Sequence, residues 1–194
     1  MNRRLLLTRL LKLLTLCGLG FVAYPFFATL LPDANVADQR RAQWERELDL
    51  SSLQPGELLI IDNWPGGPVA IYQRTQHEHD ALSRNTAQLH DPDSAQSRQP
   101  DSLRSPTRAQ RDDYFVFVPL DTDRGCQIRY LPANKQPKPD LDWYGGFSEP
   151  CTGSLYDTAG RIYRDYRTER QKNLSVPQYQ SIGPARLLLT GPVP

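Results

Sequence analysis

Trp143-Tyr144-Gly145-Gly146-Phe147-Ser148-Glu149-Pro150-Cys151-Thr152-Gly153-Ser154-Leu155-Tyr156-Asp157-Thr158-Ala159-Gly160-Arg161 is the stretch on which the reading of this chain turns. It sets one Cys and four glycines among aromatic residues. Glycine reaches backbone conformations closed to other residues and lets a chain come close to what it packs on, so the stretch predicts a sharply turning loop. Upstream, residues 131–142 form a Pro- and Lys-rich loop, preceded by a second Cys-bearing segment, Leu120-Asp121-Thr122-Asp123-Arg124-Gly125-Cys126-Gln127-Ile128-Arg129-Tyr130. Short apolar runs bounded by turn residues predict strands at Glu57–Asp62, Val69–Arg74, Tyr114–Val118 and Ala185–Thr190. Trp64-Pro65-Gly66-Gly67-Pro68 reads as a turn, and Thr75 and Glu78 have capping-box spacing for a short helix through about Asn85. Residues 84–113, rich in Ser, Asp, Gln, Arg and Pro, read as a long surface excursion with room for mobility.

The opening stretch resembles the second cluster-binding box of Rieske iron–sulfur proteins, which reads C-P-C-H-G-S-x-Y-D-x-x-G-R. Pro150, Cys151, Gly153, Ser154, Tyr156, Asp157, Gly160 and Arg161 match it. The first box, C-T-H-x-G-C, is matched by Thr122, Gly125 and Cys126. The passage from Trp64 to Thr75, with the pattern W-x-G-x-P-V-x-I-x-x-R-T, is similar to the start of the Rieske head in cytochrome bc1 complexes. Asp91-Pro92-Asp93-Ser94 resembles a D-P-x-S passage of that family, and Asn173-Leu174-Ser175-Val176-Pro177-Gln178-Tyr179 its N-L-x-V-P-x-Y strand signature. Between Arg161 and Asn173 the family's proline loop is replaced by a charged segment, 165–172. The resemblance covers nearly the whole chain and implies a mainly β protein: an antiparallel Rieske-like head, residues 49–194, with a degenerate cluster-binding subdomain at about 119–161.

Four positions depart from the family. Asp121 and Glu149 stand where the ligand cysteines fall, and Asp123 and Thr152 where the ligand histidines fall. A Rieske [2Fe–2S] centre takes two thiolates and two imidazoles, and sulfide-bridged iron prefers such ligands to hard carboxylates. His77, His79 and His90 all precede the first box, and His77 and His79, two apart on a helix, do not share a face. The expectation is therefore no cofactor and no metal. Family geometry implies that Cys126 and Cys151 form a disulfide linking the two loops, stabilising the head by roughly 3–4 kcal/mol in the chain-entropy model. It also implies that Ser154 and Tyr156, whose hydroxyls donate to the cluster in the family, find other partners or face solvent. Asp121, Asp123 and Glu149 are expected to converge at the tip, where they pair with Arg124 or Arg129 or, as an alternative, hold a hard cation.

The N-terminus carries the other clear signal. Arg3, Arg4, Arg9 and Lys12 precede an uncharged run, Leu13–Leu31, close to the roughly 20 residues that cross a bilayer as a helix. The run ends in a poor cleavage site, so an uncleaved anchor over residues 1–32 is expected rather than a signal peptide. The positive flank predicts a cytoplasmic N-terminus and a periplasmic head on a single-pass inner-membrane protein. Arg3-Arg4 before leucines also carries a faint twin-arginine pattern. Residues 33–48 read as a tether with a short helix near Trp44. Cys17, inside the apolar run, reads as a small apolar residue. A net charge of +1 gives no basic field for nucleic acid.

No nucleophile–base constellation stands out, so no catalytic activity of its own is expected. The expected role is an accessory or structural subunit of a membrane respiratory complex, with that complex's subunits and the lipid bilayer as partners. The alternatives are an electron-transfer subunit of a quinol–cytochrome c reductase and a carboxylate metal-binding module.

Overall fold

The computed structural model describes residues 3–30, 42–84 and 86–193. It divides into two compact units, Met1–Ala42 and Gln43–Pro194.

The first unit is helix α1, Arg3–Leu30, with Pro25 inside it. Its segment Leu6–Leu30, 25 residues, is long and apolar enough to cross a membrane. Leucines and phenylalanines are exposed all round it, as suits a helix solvated by lipid. Thr8, Thr15 and Thr29 donate their hydroxyls to carbonyls of Arg4, Leu11 and Phe26, so these threonines need no outside partner. The helix starts ten residues before the expected Leu13, because Leu, Arg and Lys are good helix formers and the long side chains of Arg9 and Lys12 reach outward from an apolar segment. Leu31 and the tether residues 33–41 lie outside the described residues.

The second unit is an antiparallel β head of three sheets among the described residues. The strands are β1 (Arg46–Asp49), β2 (Leu58–Ile61), β3 (Val69–Gln73), β4 (Tyr114–Phe117), β5 (Arg129–Leu131), β6 (Gly146–Glu149), β7 (Ser154–Asp157), β8 (Gln178–Gly183) and β9 (Arg186–Gly191). They pair as β1-β9-β8, β2-β3-β4 and β5-β6-β7. The strand β1 begins in the last three residues of the segment read as tether, 33–48, and Arg46–Asp49 pair with Arg186–Leu189. Residues 42–44 just before it are helical, and Trp44 stacks edge-on against Trp64.

The apolar runs find the interior. β3 is the middle strand of its sheet with Val69 to Tyr72 buried, and β4 is buried along its whole length. Phe115, Phe117, Phe147 and Tyr72 form the aromatic centre, which joins this sheet to β6 of the third. Gly146 is required there: a Cβ would lie 2.1 Å from the Tyr156 carbonyl oxygen on the paired strand. Gly160 has φ +67° and packs on the Phe115 ring, where no side chain fits.

Helix α2 (Gln76–Ala81) starts in the expected capping box. Glu78, buried, also accepts the hydroxyls of Tyr72 and Tyr130.

The reading of 84–113 as a mobile surface excursion is corrected. Leu89, Asp91, Ser94, Ser97, Gln99, Leu103 and Arg108 are buried. Arg108 donates to Gln99 Oε1 and to the carbonyls of Ala159, Gly160 and Leu174. Asp91 accepts from the backbone N–H of Ala95 and Gln96, and Asn173 donates to the Asp91 carbonyl. Polar side chains fasten this segment alongside the buried Leu89 and Leu103. Of the 173–179 signature, only Gln178 and Tyr179 are in a regular strand; Leu174 and Val176 are buried in irregular chain.

Candidate functional site

The tip of the head is built by two turns. The first runs from Leu120 to Gln127, which pair across it, with the Asp121 N–H donating to the Cys126 carbonyl. The second is the β6–β7 hairpin, where Glu149 pairs with Ser154 and Pro150–Gly153 make the loop. A disulfide between Cys126 and Cys151 joins them, as the resemblance implied.

Each turn has a carboxylate, Asp121 in the first and Glu149 in the second, that closes its own turn. Asp121 Oδ1 accepts the N–H groups of Asp123 (2.8 Å) and Arg124 (2.9 Å), and Oδ2 accepts that of Cys126 (2.6 Å). Burial pushes the Asp121 carboxyl up, but those three N–H groups with the Gln171 amide outweigh burial and hold it below its ordinary value. Glu149, fully buried, accepts the N–H of Cys151 and both the N–H and the hydroxyl of Thr152. Buried backbone donors need acceptors, and a short-range carboxylate supplies them.

Between the turns lies Gln171. Its side chain is fully buried. Its Oε1 accepts from the Ser154 hydroxyl and from the Thr168 N–H (2.9 Å). Its Nε2 approaches Thr152 Oγ1 (3.3 Å) and Asp121 Oδ1 (3.4 Å). The same charged segment seals the rim: Arg170 pairs with Asp123 at 3.0 Å, Thr168 donates to Asp123, and Thr122 exchanges bonds with the backbone of Lys172. The charged segment 165–172 thus supplies a polar plug.

Asp121, Asp123 and Glu149 all lie near enough to act on the Tyr156 hydroxyl, but each has its own hydrogen-bond or ion-pair partners. Among the described residues, the one group of three or more His, Cys, Asp or Glu donors close enough to share an ion is Cys126, Glu149 and Cys151, within 4.8 Å of one another. Arg124 is exposed and contributes only its N–H; Arg170 is the cation at Asp123. Arg129 is exposed on β5. Ser154 finds Gln171, whereas the Tyr156 hydroxyl is buried without a hydrogen-bond partner among the described residues and does not reach solvent. Burial pushes its pKa up, and the charges of Asp121, Glu149 and Asp123 push it further. His77 is exposed beside the Tyr144 ring, His79 lies 3.8 Å from Asp112, and His90 contacts Arg167. Gln171 and Arg170 escaped the sequence reading; the signal was the change of character in 165–172.

A small three-stranded sheet carrying two disulfide-linked turns, set against a larger antiparallel base, defines the class as a Rieske-type head. No family model matches the chain. The ubiquinol–cytochrome c reductase iron–sulfur subunit of Allochromatium vinosum is 33% identical over 187 residues, covering 96% of this chain and 87% of that protein. Those of Bradyrhizobium diazoefficiens and Rhodospirillum rubrum are 30% and 32% identical, each over 84% of this chain and over 80% and 77% of their own lengths. A solved structure titled hyperthermophilic respiratory complex III aligns over 93% of this chain and 97% of its own at 18% identity, with a TM-score of 0.44. The chain belongs to the Rieske iron–sulfur subunit family of ubiquinol–cytochrome c reductase.

That membership corrects the expectation of no cofactor: the relatives are named iron–sulfur subunits, so the family is one that carries such a group. The expectation was drawn from ligand types alone. The residues at the four positions that the resemblance matches to the ligands do not fit the group as they stand. They offer oxygens only, those of Asp121 and Glu149 are engaged with their own turns, and the Gln171 side chain occupies the space between.

Proposed function

We propose that the chain serves as a structural subunit of a membrane respiratory complex of the ubiquinol–cytochrome c reductase kind, its head used for shape and attachment. The observation that carries this reading is the plugged tip. Both turns and their disulfide are retained, while Gln171, Arg170 and Thr168 fill and seal the space between them. Such a head can brace a neighbour. In this reading residues 1–32 anchor the chain, 33–48 tether it, and 49–194 form the head. Arg3, Arg4, Arg9 and Lys12 keep the N-terminus cytoplasmic and place the head on the periplasmic side of the inner membrane. Detergent extraction and copurification through a C-terminal tag test it. Cytochrome-bearing subunits of one respiratory complex should come with the chain in fixed ratio; a chain that purifies alone refutes attachment.

The relatives' names support a second reading, an electron-transferring iron–sulfur subunit. Iron analysis and electron paramagnetic resonance on the reduced complex separate the two. One Rieske-type signal per chain would replace the structural role with this one.

A further inference from the structure

The tip holds two sulfurs and a buried carboxylate together. We propose that reduction of the Cys126–Cys151 disulfide converts the tip into a one-ion site for a divalent borderline cation such as Zn2+, with the two thiolates and Glu149 as ligands.

Three observations carry this. First, Sγ of both cysteines and a Glu149 carboxylate oxygen lie within 4.8 Å of one another. Ligands of one tetrahedral zinc sit roughly 3.6–3.8 Å apart, given Zn–S and Zn–O bonds of about 2.3 and 2.1 Å, so side-chain rotations of about 1 Å complete the site. Second, Glu149 is a fully buried carboxylate whose donors, two backbone N–H groups and a threonine hydroxyl, are all neutral. A carboxylate offers about four acceptor sites, so three bonds leave one open, and a cation there offsets the burial of the charge. Third, the two turns do not depend on the disulfide to stay adjacent. Gln171 reaches Asp121 on one turn and Thr152 and Ser154 on the other, and Thr122 is fastened to Lys172. Released sulfurs therefore remain neighbours. Cys151 is exposed, which gives a dithiol access to the bond.

The chemistry balances with a dithiol reductant of the thioredoxin kind. The dithiol loses two electrons and two protons and closes its own disulfide; Cys126 and Cys151 gain them as two thiols. Zn2+ then displaces both thiol protons to solvent and forms two Zn–S bonds. A water takes the fourth position.

The test uses the full-length chain in detergent with Cys17→Ser, which removes the free thiol on α1. One sample stays oxidised; the other is reduced with dithiothreitol and desalted anaerobically. Both are titrated with Zn2+ against a chromophoric chelator, then with Co2+, whose thiolate charge-transfer bands report sulfur ligation. The expected result is one Zn2+ per reduced chain, at least about 100-fold tighter than in the oxidised chain, with Co2+ bands only after reduction. Glu149→Gln should weaken reduced-state binding by about tenfold or more, and Cys151→Ser should abolish it. Equal affinity in the oxidised and reduced chains overturns the proposal, as does a reduced chain that loses its β circular dichroism and binds nothing. That comparison needs no substitution in the head, so a variant that fails to fold does not decide the outcome.

Discussion

The tip and the Arg108 region both hold irregular chain in place with polar side chains, and they do it differently. In the Arg108 region one fully buried guanidinium binds three carbonyls and an amide contributed by distant segments. At the tip a disulfide, Gln171, two turn-closing carboxylates and the Asp123–Arg170 pair share the task. The first design leans on desolvated guanidinium groups, Arg108 and the neighbouring Arg74, which donates to the carbonyls of Thr107, Asp112, Tyr114 and Thr158; the other distributes the fastening over several weaker links. A single substitution should therefore act strongly in the first region and more weakly in the second.

The largest effect is expected from Arg108→Met. Three buried acceptors, Gln99 Oε1 and the carbonyls of Ala159 and Leu174, lose this donor at once, while the Gly160 carbonyl keeps the Leu174 N–H. Leaving such groups unpaired should cost about 3–5 kcal/mol, read as a shift in the urea midpoint of the detergent-solubilised chain. A shift under about 1 kcal/mol would show that the segment re-satisfies its carbonyls, and the contrast with the tip would fail.

Gln171→Ala comes next. It removes the bridge between the turns and leaves a buried void, but the disulfide still joins them, so a loss of about 1–3 kcal/mol is expected. Reduction of the disulfide in the same variant sharpens the comparison. The combined loss should exceed the sum of the two, because each link limits what the other's removal does. Strict additivity would mean that the two links act on separate parts of the tip.

These two residues also mark where the sequence was hard to read. The strands were legible because apolar runs such as Tyr114–Phe117 and Val69–Tyr72 announce buried β-structure. The disulfide was legible because two box cysteines sit inside matched loops. Arg108 and Gln171 were not, since a buried polar residue in a polar segment leaves no period and no apolar signature. Asp91, Ser94, Ser97 and Gln99 are buried in the same way, which is why 84–113 reads as exposed chain. The fate of Asp121 and Glu149 was half legible. Their identity ruled out soft ligation, while their use as acceptors for their own turns needed coordinates.

Asp121→Asn tests that use through pH. The folded-state carboxyl of Asp121 lies below its ordinary value of 3.8, so its contribution is fully present above about pH 4 and is lost as pH falls through the lowered value. The amide offers one acceptor oxygen for three N–H groups, and at pH 7 the variant should be less stable by about 1–2 kcal/mol. The gap should narrow as pH falls below about 4, where the wild-type carboxyl protonates as well. A gap that stays constant from pH 7 to pH 3 would assign the loss to packing instead.

Arg170→Ala should have the smallest effect, although it breaks the ion pair at the former ligand position Asp123. The Arg170 side chain is 81% exposed, so water screens the pair and the long side chain gives up rotamer freedom to hold it. Asp123 keeps the Thr168 hydroxyl, which limits the loss further. The stability change should stay within about 0.5 kcal/mol and shrink in high salt. If the loss instead exceeded about 1.5 kcal/mol and persisted in high salt, Arg170 would be fastening the charged segment over Gln171. The tip would then resemble the Arg108 region, with one cation holding many groups, and the distributed design inferred from its bonds would be wrong.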